Sequence, residues 1–358
     1  MTPKERVMAT IAHEEADKVP LDCWLAPEIR EELNKTCTLP DPADPFALQK
    51  FLGHDLLYRN IGFCESYQSI YDDSRRIASN LYEDRFGIRW RKHSHGHGSY
   101  CEFVEHPLAD ADRSHSYTLP DPLESSKRDL DAYRDLIARD GDHYAIIGGV
   151  ACTVFEAAWY LRGLDRFLMD LLDNRDFAEE LLDSCMSFSL TLSRELVRMG
   201  VDIVWWGDDL SLETGPLFSP DLVRELIFPR YAHMVSEVKA INPDVRIAFH
   251  SDGHIEWLLD DLVEMGIDII NPLQPDANDV QRVKRRYGKN LTYWGNVDTR
   301  TVMSSGTTAD VIREVERVIR LLGDGGGLIL CSNHTVQAGP KAFDNTLAYY
   351  FAAEKYRS

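Results

Sequence analysis

From residue 144 onward the chain repeats one unit: a short apolar run, a polar cluster, then a longer amphipathic stretch. The apolar runs are Tyr144–Gly148, Asp202–Trp206, Val245–Phe249, Ile267–Ile270, Leu291–Trp294 and Gly327–Leu330. They are too short for helices and lack strict alternation, which is the pattern of strands buried on both faces. Residues 154–173, 176–199, 278–287 and 307–322 carry helical spacing. Ser219-Pro220 and Ile255 open two more helices, and a last one begins near Phe343. Parallel strands need a crossover between them, and a helix supplies it. Two earlier strands, Lys18–Cys23 and His54–Ile61, bring the number to about eight. The expected fold is therefore α/β, a (β/α)8 TIM barrel, with a doubly wound open sheet as the competing arrangement. The absence of a GxGxxG after the first strand weighs against the open sheet, and Asp324-Gly-Gly-Gly327 lies on the wrong side of a strand to start a phosphate-binding helix.

The N-terminal third is less regular. Residues 2–17 read as a helix, with Thr2 as N-cap and Glu5 at the capping-box spacing. Residues 80–105 alternate in two runs around His93-Ser-His-Gly-His-Gly98, which predicts an N-terminal β-hairpin insertion. His93, His95 and His97 there read as a solvated turn more readily than as metal ligands. Residues 1–358 are expected to form one domain, because barrels of this kind reach such a length without dividing.

Charge limits the partners. The 39 Lys and Arg against 59 Asp and Glu leave a net charge of −20. That disfavours nucleic acid and anionic membranes, both of which require a basic face. No apolar run reaches the length of a membrane span, and the charged start has no signal-peptide pattern. Seven scattered cysteines without a CxxC pair suit a reducing cytoplasm.

The polar clusters carry the functional expectation. Gly207-Asp-Asp209, His250-Ser-Asp-Gly-His254, Asn271-Pro-Leu-Gln274, Gly295-Asn-Val-Asp298 and Cys331-Ser-Asn-His334 each follow a strand. In a barrel these ends converge on one mouth, where active sites form. His250, Asp252 and His334, with Cys331 in reserve, are the candidate ligands of a Zn²⁺ ion that keeps one position open. The competing reading makes Asp252 a helix cap and His250 a hydrogen-bonded core residue. Asp208, Asp209 and Asp298 are candidates for acid–base or positioning roles, since crowded carboxylates push their pKa values apart. Trp206, Gln274, Tyr293, Trp294 and Asn296 are candidate substrate contacts.

Taken together, Gly207-Asp-Asp-Leu210, Ser219-Pro220, Pro229-Arg230, Phe249-His-Ser-Asp-Gly253, Gly266-Ile-Asp-Ile-Ile-Asn-Pro-Leu-Gln274, Tyr293-Trp-Gly-Asn-Val-Asp298 and Asn333-His334 through to Asn345 resemble the uroporphyrinogen decarboxylase superfamily. The resemblance covers most of residues 144–355 and implies a (β/α)8 fold. It implies either decarboxylation in porphyrin metabolism or methyl transfer to or from a corrinoid held by a partner protein, in a possible homodimer. A non-catalytic tetrapyrrole or corrinoid binder is a further alternative. The decarboxylases resemble one another through an arginine-bearing MRQAGR motif, where this chain has Asp22-Cys-Trp-Leu-Ala-Pro-Glu-Ile-Arg30. Eight substrate carboxylates need arginines to pair with them, so the departure favours the methyltransferases. Those members hold Zn²⁺ through H-x-C and a later Cys. His250-Ser-Asp252 stands in the first place and His334 near the second, with Cys331 three residues earlier. Harder ligands of this kind suit an oxygen- or nitrogen-bound methyl group better than a thiol. A small methylated substrate is the expected partner.

Overall fold

A computed structural model describes residues 1–63, 74–96, 98–110 and 117–357. Its strands in chain order are β1 (Leu56–Gly62), β2 (Arg75–Ala78), β3 (Leu81–Glu83), β4 (Arg89–His95), β5 (Gly98–Glu105), β6 (Ala145–Ala151), β7 (Ile203–Gly207), β8 (Ser211–Leu212), β9 (Gly215–Pro216), β10 (Arg246–His250), β11 (Ile269–Asn271), β12 (Thr292–Trp294) and β13 (Leu328–Ile329). Seven of them form one parallel sheet in the order β1-β6-β7-β10-β11-β12-β13. Its strands are buried on both faces, as the continuous apolar runs require.

The eighth position is filled differently from the expectation. Residues 18–23 form no regular strand, yet they occupy the gap between β13 and β1. Asp22 N–H donates to the Leu330 carbonyl at 2.8 Å, Leu330 N–H to Pro20 at 2.8 Å, and Asp55 N–H to Leu21 at 2.9 Å. Pro20 has no N–H, and the Leu21 amide turns to the Asp55 carboxylate at 2.8 Å, so the ladder toward β1 is broken after one bond. Isolated bridges Leu21↔Leu330 and Leu25↔Val336 complete the closure toward the mouth.

The hairpin expected over 80–105 is part of a larger unit. β2, β3, β4 and β5 form a four-stranded antiparallel sheet inserted between β1 and the helix Lys127–Asp140. Trp90 and Phe103 pack on its inner side with ring centroids 4.2 Å apart and planes tilted by 37°, and Phe103 meets Tyr160 edge-on. His97 and the side chain of His95 lie outside the described residues.

Helix boundaries follow local signals. Thr2 and Glu5 form the expected capping box, but the first helix ends at Ile11 and not near 17, because His13 takes a left-handed φ of 55°. The expected helix 154–173 is two helices, Phe155–Arg162 and Leu164–Asp173, divided at Gly163 with φ 92°. Among the described residues no helix is long and apolar enough to cross a membrane.

Asp55 anchors the seam where the barrel closes. Its carboxylate accepts from the Arg6 guanidinium, from Arg357 Nη1 at 3.0 Å and from Leu21 N–H. All three side chains are buried. Replacing Asp55 by Ala leaves two buried guanidinium groups without that counter-charge. The expected loss is about 3–5 kcal/mol of folding free energy, read as a lower denaturation midpoint at unchanged m-value.

Candidate functional site

Side-chain parity decides what reaches the mouth. Successive residues of a strand face opposite sides. On β10, Phe249 packs against Tyr231 in the surrounding helix layer, with ring centroids 5.0 Å apart, so His250 faces the barrel interior. On β7, Trp206 donates its indole N–H to Ser193 of the helix Arg175–Met199 at 2.9 Å, so Trp205 faces inward. On β12, Tyr293 donates to Val283 of the helix Val280–Tyr287 at 3.3 Å, and Trp294 faces inward.

Asn271 at the end of β11 orients the histidine. Its side-chain Nδ2 donates to the Trp294 carbonyl at 2.8 Å, and its Oδ1 accepts the Trp205 indole N–H at 2.9 Å. An indole nitrogen can only donate, so Asn271 Oδ1 is an acceptor. His250 Nδ1, 2.8 Å from the same oxygen, therefore carries the proton and donates. In the neutral ring this leaves the Nε2 lone pair open, and Nε2 lies 3.7 Å from Asp209 Oδ1.

Two carboxylates complete the cluster. Asp209 follows β7 and accepts the Asp252 backbone N–H at 2.8 Å. Asp252 accepts from Gln274 Nε2 at 2.9 Å, while Gln274 Oε1 accepts the Gly253 N–H at 2.8 Å. Ligand atoms of Asp209, His250 and Asp252 all lie within 4.8 Å of one another. His334 comes across from the end of β13, with Nε2 3.7 Å from Asp252 Oδ2. Burial pushes the Asp252 carboxyl above its usual range. His250 and His334 oppose that shift, and Asp209 and Asp276 add to it. Gly253 has φ 89°, and a Cβ there would meet the Leu212 carbonyl at 2.6 Å. Only glycine lets the β8–β9 hairpin rest on this loop.

Beneath the cluster lies an aromatic floor. Trp24 is parallel to Tyr58 at 5.7 Å and to His250 at 6.1 Å, and edge-on to Trp294 at 5.5 Å. Trp205 approaches His250 at 5.1 Å and Tyr58 at 5.7 Å. Buried Asp22 holds this floor from below, accepting the indole N–H of Trp24 at 3.0 Å and of Trp294 at 3.1 Å.

The structure thus brings together Asp209, His250, Asp252, Gln274 and His334, with Trp294 in the floor. Other expected site residues lie elsewhere. Asp208 has the outward parity of Trp206. Its carboxylate caps the helix Phe155–Arg162 through the N–H groups of Phe155 and Glu156, both at 2.7 Å, and accepts from Tyr231 at 2.8 Å. Burial pushes this carboxyl up while the three donors hold it down. Asp298 caps the turn at Arg300 and Thr301. Cys331 is buried with Sγ 3.6 Å from Asp22 Oδ2 and is not part of the cluster. Trp206 and Tyr293 sit in the strand–helix layer. Asn296 is buried, its N–H and Nδ2 given to the carbonyls of Cys331 and Tyr293. Sequence reading missed Trp24, Tyr58, Trp205 and the orienting role of Asn271. Counting by twos back from Asp209 would have selected Trp205 over Trp206.

Residues 94–342 match the family model of uroporphyrinogen decarboxylase (URO-D). The chain belongs to the URO-D family. Among solved structures it is similar to a methyltransferase from Methanosarcina mazei, at 18% identity with a TM-score of 0.72, covering 100% of both chains. It is also similar to a B12-independent methionine synthase from Shewanella sp. W3-18-1 in complex with selenomethionine, at 16% identity and TM-score 0.43, over 64% of this chain and 66% of that one. The first of these likenesses shows the fold. No curated protein matches the chain.

The two adjacent aspartates of this family member should separate cleanly. Asp208→Asn turns an NH₂ group toward backbone donors and should cost on the order of 2 kcal/mol of stability. Asp209→Asn should leave the thermal midpoint within about a degree, as expected for a partly exposed side chain away from the core. Differential scanning calorimetry of the two variants checks this.

Proposed function

We propose that this URO-D family member is a methyltransferase. It would move a methyl group between a small methylated substrate and a corrinoid presented by a partner protein, with help from a divalent ion such as Zn²⁺. The observation that carries the reading is the Asp209–His250–Asp252 cluster set above an aromatic floor at the barrel mouth. The likeness of the whole chain to a protein named as a methyltransferase supports it.

The residues fit a divalent ion. Donors at 3.7 Å lie a few tenths of an ångström beyond the roughly 3.0–3.4 Å between neighbouring ligands of one divalent ion with bonds near 2.1 Å, a gap that small side-chain rotations close. Asp209, His250 and Asp252 would hold the ion, and His334 stands next to them. Such an ion, when bound, supplies Lewis acidity to the heteroatom that gains or loses the methyl group. Asn271 keeps the His250 proton on Nδ1, so that Nε2 is presented as a neutral donor. Gln274 occupies Asp252 Oδ1 and leaves Oδ2 toward His334. Trp24, Tyr58 and Trp205 offer an apolar surface on which a methyl-bearing substrate lies while bulk water is kept from the reacting group.

The decarboxylase reading needs arginines at the substrate. Arg75 pairs with Glu83, Arg89 with Glu83 and Glu105, and Arg76 with the carbonyls of Ala78 and Ser79. Arg85 donates to the carbonyls of Ser125 and Gly62. These contacts tie them to the antiparallel sheet and its surroundings, which favours methyl transfer.

Purified protein should retain close to one equivalent of Zn²⁺ after supplementation and show no turnover of uroporphyrinogen. His250→Ala should lose the ion and about 100-fold or more of methyl transfer, and Asn271→Ala should weaken ion affinity by about 10–100-fold. Efficient uroporphyrinogen decarboxylation would overturn the proposal, and so would full methyl-transfer activity without an ion. Intact corrinoid binding with no turnover of any methyl donor would favour the non-catalytic alternative.

Ion binding should also depend on pH. The Asp252 carboxyl is raised, so on acidification it takes up its proton earlier than an ordinary aspartate and competes with the ion. Affinity should therefore fall on acidification, beginning at a higher pH than for a site built on an ordinary aspartate, with protons released on binding. Calorimetry in buffers of different ionisation enthalpy measures that release, and Asp252→Asn should remove its share.

A further inference from the structure

We infer that the Asp209–His250–Asp252 cluster is a thiolate-free site, binding its ion through carboxylate oxygen and imidazole nitrogen in an expanded shell that accepts Mn²⁺ and Co²⁺ as well as Zn²⁺. The inference rests on reading the cluster as a metal site and goes further, to the class of ion and the form of its coordination.

Three observations carry it. The first is where the thiols are. Cys331 lies under the floor, its Sγ 3.6 Å from Asp22 Oδ2, and Cys23 Sγ lies 3.8 Å from Ser332 Oγ. Both are buried, and burial pushes both thiols up, Cys23 to about 12. The Asp22 oxygen that meets Cys331 Sγ is the one that accepts the indole N–H groups of Trp24 and Trp294, so this thiol is engaged with Asp22. No cysteine belongs to the cluster among the described residues.

The second observation is the surroundings of the ligands. Each is bonded to a neutral amide: His250 to Asn271, Asp252 to Gln274, and Asp209 to the Asp252 backbone. Among the described residues no lysine or arginine pairs with Asp209 or Asp252. Their ion-pair partners are His250 and His334. Two carboxylates and a neutral imidazole carry a formal charge of −2, which matches a divalent cation without further compensation.

The third observation is openness. The Asp209 side chain is 41% exposed and His334 47%, so the outer side of the cluster faces solvent. Water and His334 can add to three resident ligands and give five or six donors. Oxygen-rich sets of this kind suit Mn²⁺ and Co²⁺, whereas thiolate ligands select Zn²⁺ in tetrahedral geometry.

The test loads metal-free full-length protein with cobalt, manganese or zinc chloride. With Co²⁺, the visible bands should be the weak ones of a five- or six-coordinate ion, with no thiolate-to-cobalt charge transfer in the near ultraviolet. Mn²⁺ should bind stoichiometrically by electron paramagnetic resonance and be displaced by Zn²⁺. Cys331→Ser and Cys23→Ser should keep the cobalt spectrum and an affinity within about twofold of wild type, whereas Asp209→Ala should lose at least about tenfold. The manganese measurement needs no variant and stands if a cysteine variant fails to fold. A charge-transfer band, its loss in Cys331→Ser, or zinc binding without manganese binding would overturn the inference and leave metal-assisted methyl transfer standing. Failure of all three ions to bind would overturn both.

Discussion

Residues 20–22 are bonded to Leu330 on one side and to Asp55 on the other, and the geometry of the mouth depends on that seam. A seven-stranded parallel sheet has two edges, each a row of unpaired backbone groups. Here one extended segment joins both. It is too short to hold the closure by ladder bonds alone. Arg6 from the first helix and Arg357 at the end of the last one meet at Asp55, so both ends of the chain lock the same point. The same segment carries Asp22 and Trp24 into the barrel. Asp22 also accepts from His54 at 3.0 Å, and His54 is bonded to Tyr350 of the last helix at 2.8 Å. Closing the barrel and building the floor of the site are thus one event.

Above the floor, orientation is enforced by amides and not by charge. Asn271 reads three neighbours at once: two fix which end of its amide is oxygen, and that oxygen fixes the His250 tautomer. Gln274 does the same for Asp252 and its loop. No lysine or arginine among the described residues pairs with these carboxylates, so a cation is the natural complement of the site. That also separates this cluster from Asp208, whose charge is spent on a helix N-terminus and a tyrosine.

Much of this was legible in advance. Apolar runs of four to five residues, each followed by a polar cluster, fix a parallel α/β sheet and place chemistry at its C-terminal edge. That rule alone points to His250, Asp252 and Gln274, and to Asp209 as one of a pair. It also points to Trp206 and Asp208, which lie one residue from those that face the mouth, and a one-residue shift in parity exchanges core layer for pocket. Cys331 is near His334 in sequence, which makes it a candidate by position alone. The closure at the seam turns its Sγ to Asp22, and it is not part of the cluster.

The sequence by itself determined the class of fold, the family, and the set of residue types available at the strand ends, since periodicity and local motifs are properties of short segments. Tertiary structure decided which members of that set meet. Trp24 joins Tyr58 and Trp205, and Asp209 joins His250 and Asp252, across long stretches of chain. Such contacts follow from strand parity and from the register at closure. Those are set by packing the whole sheet around one interior, and no local run of residues encodes them.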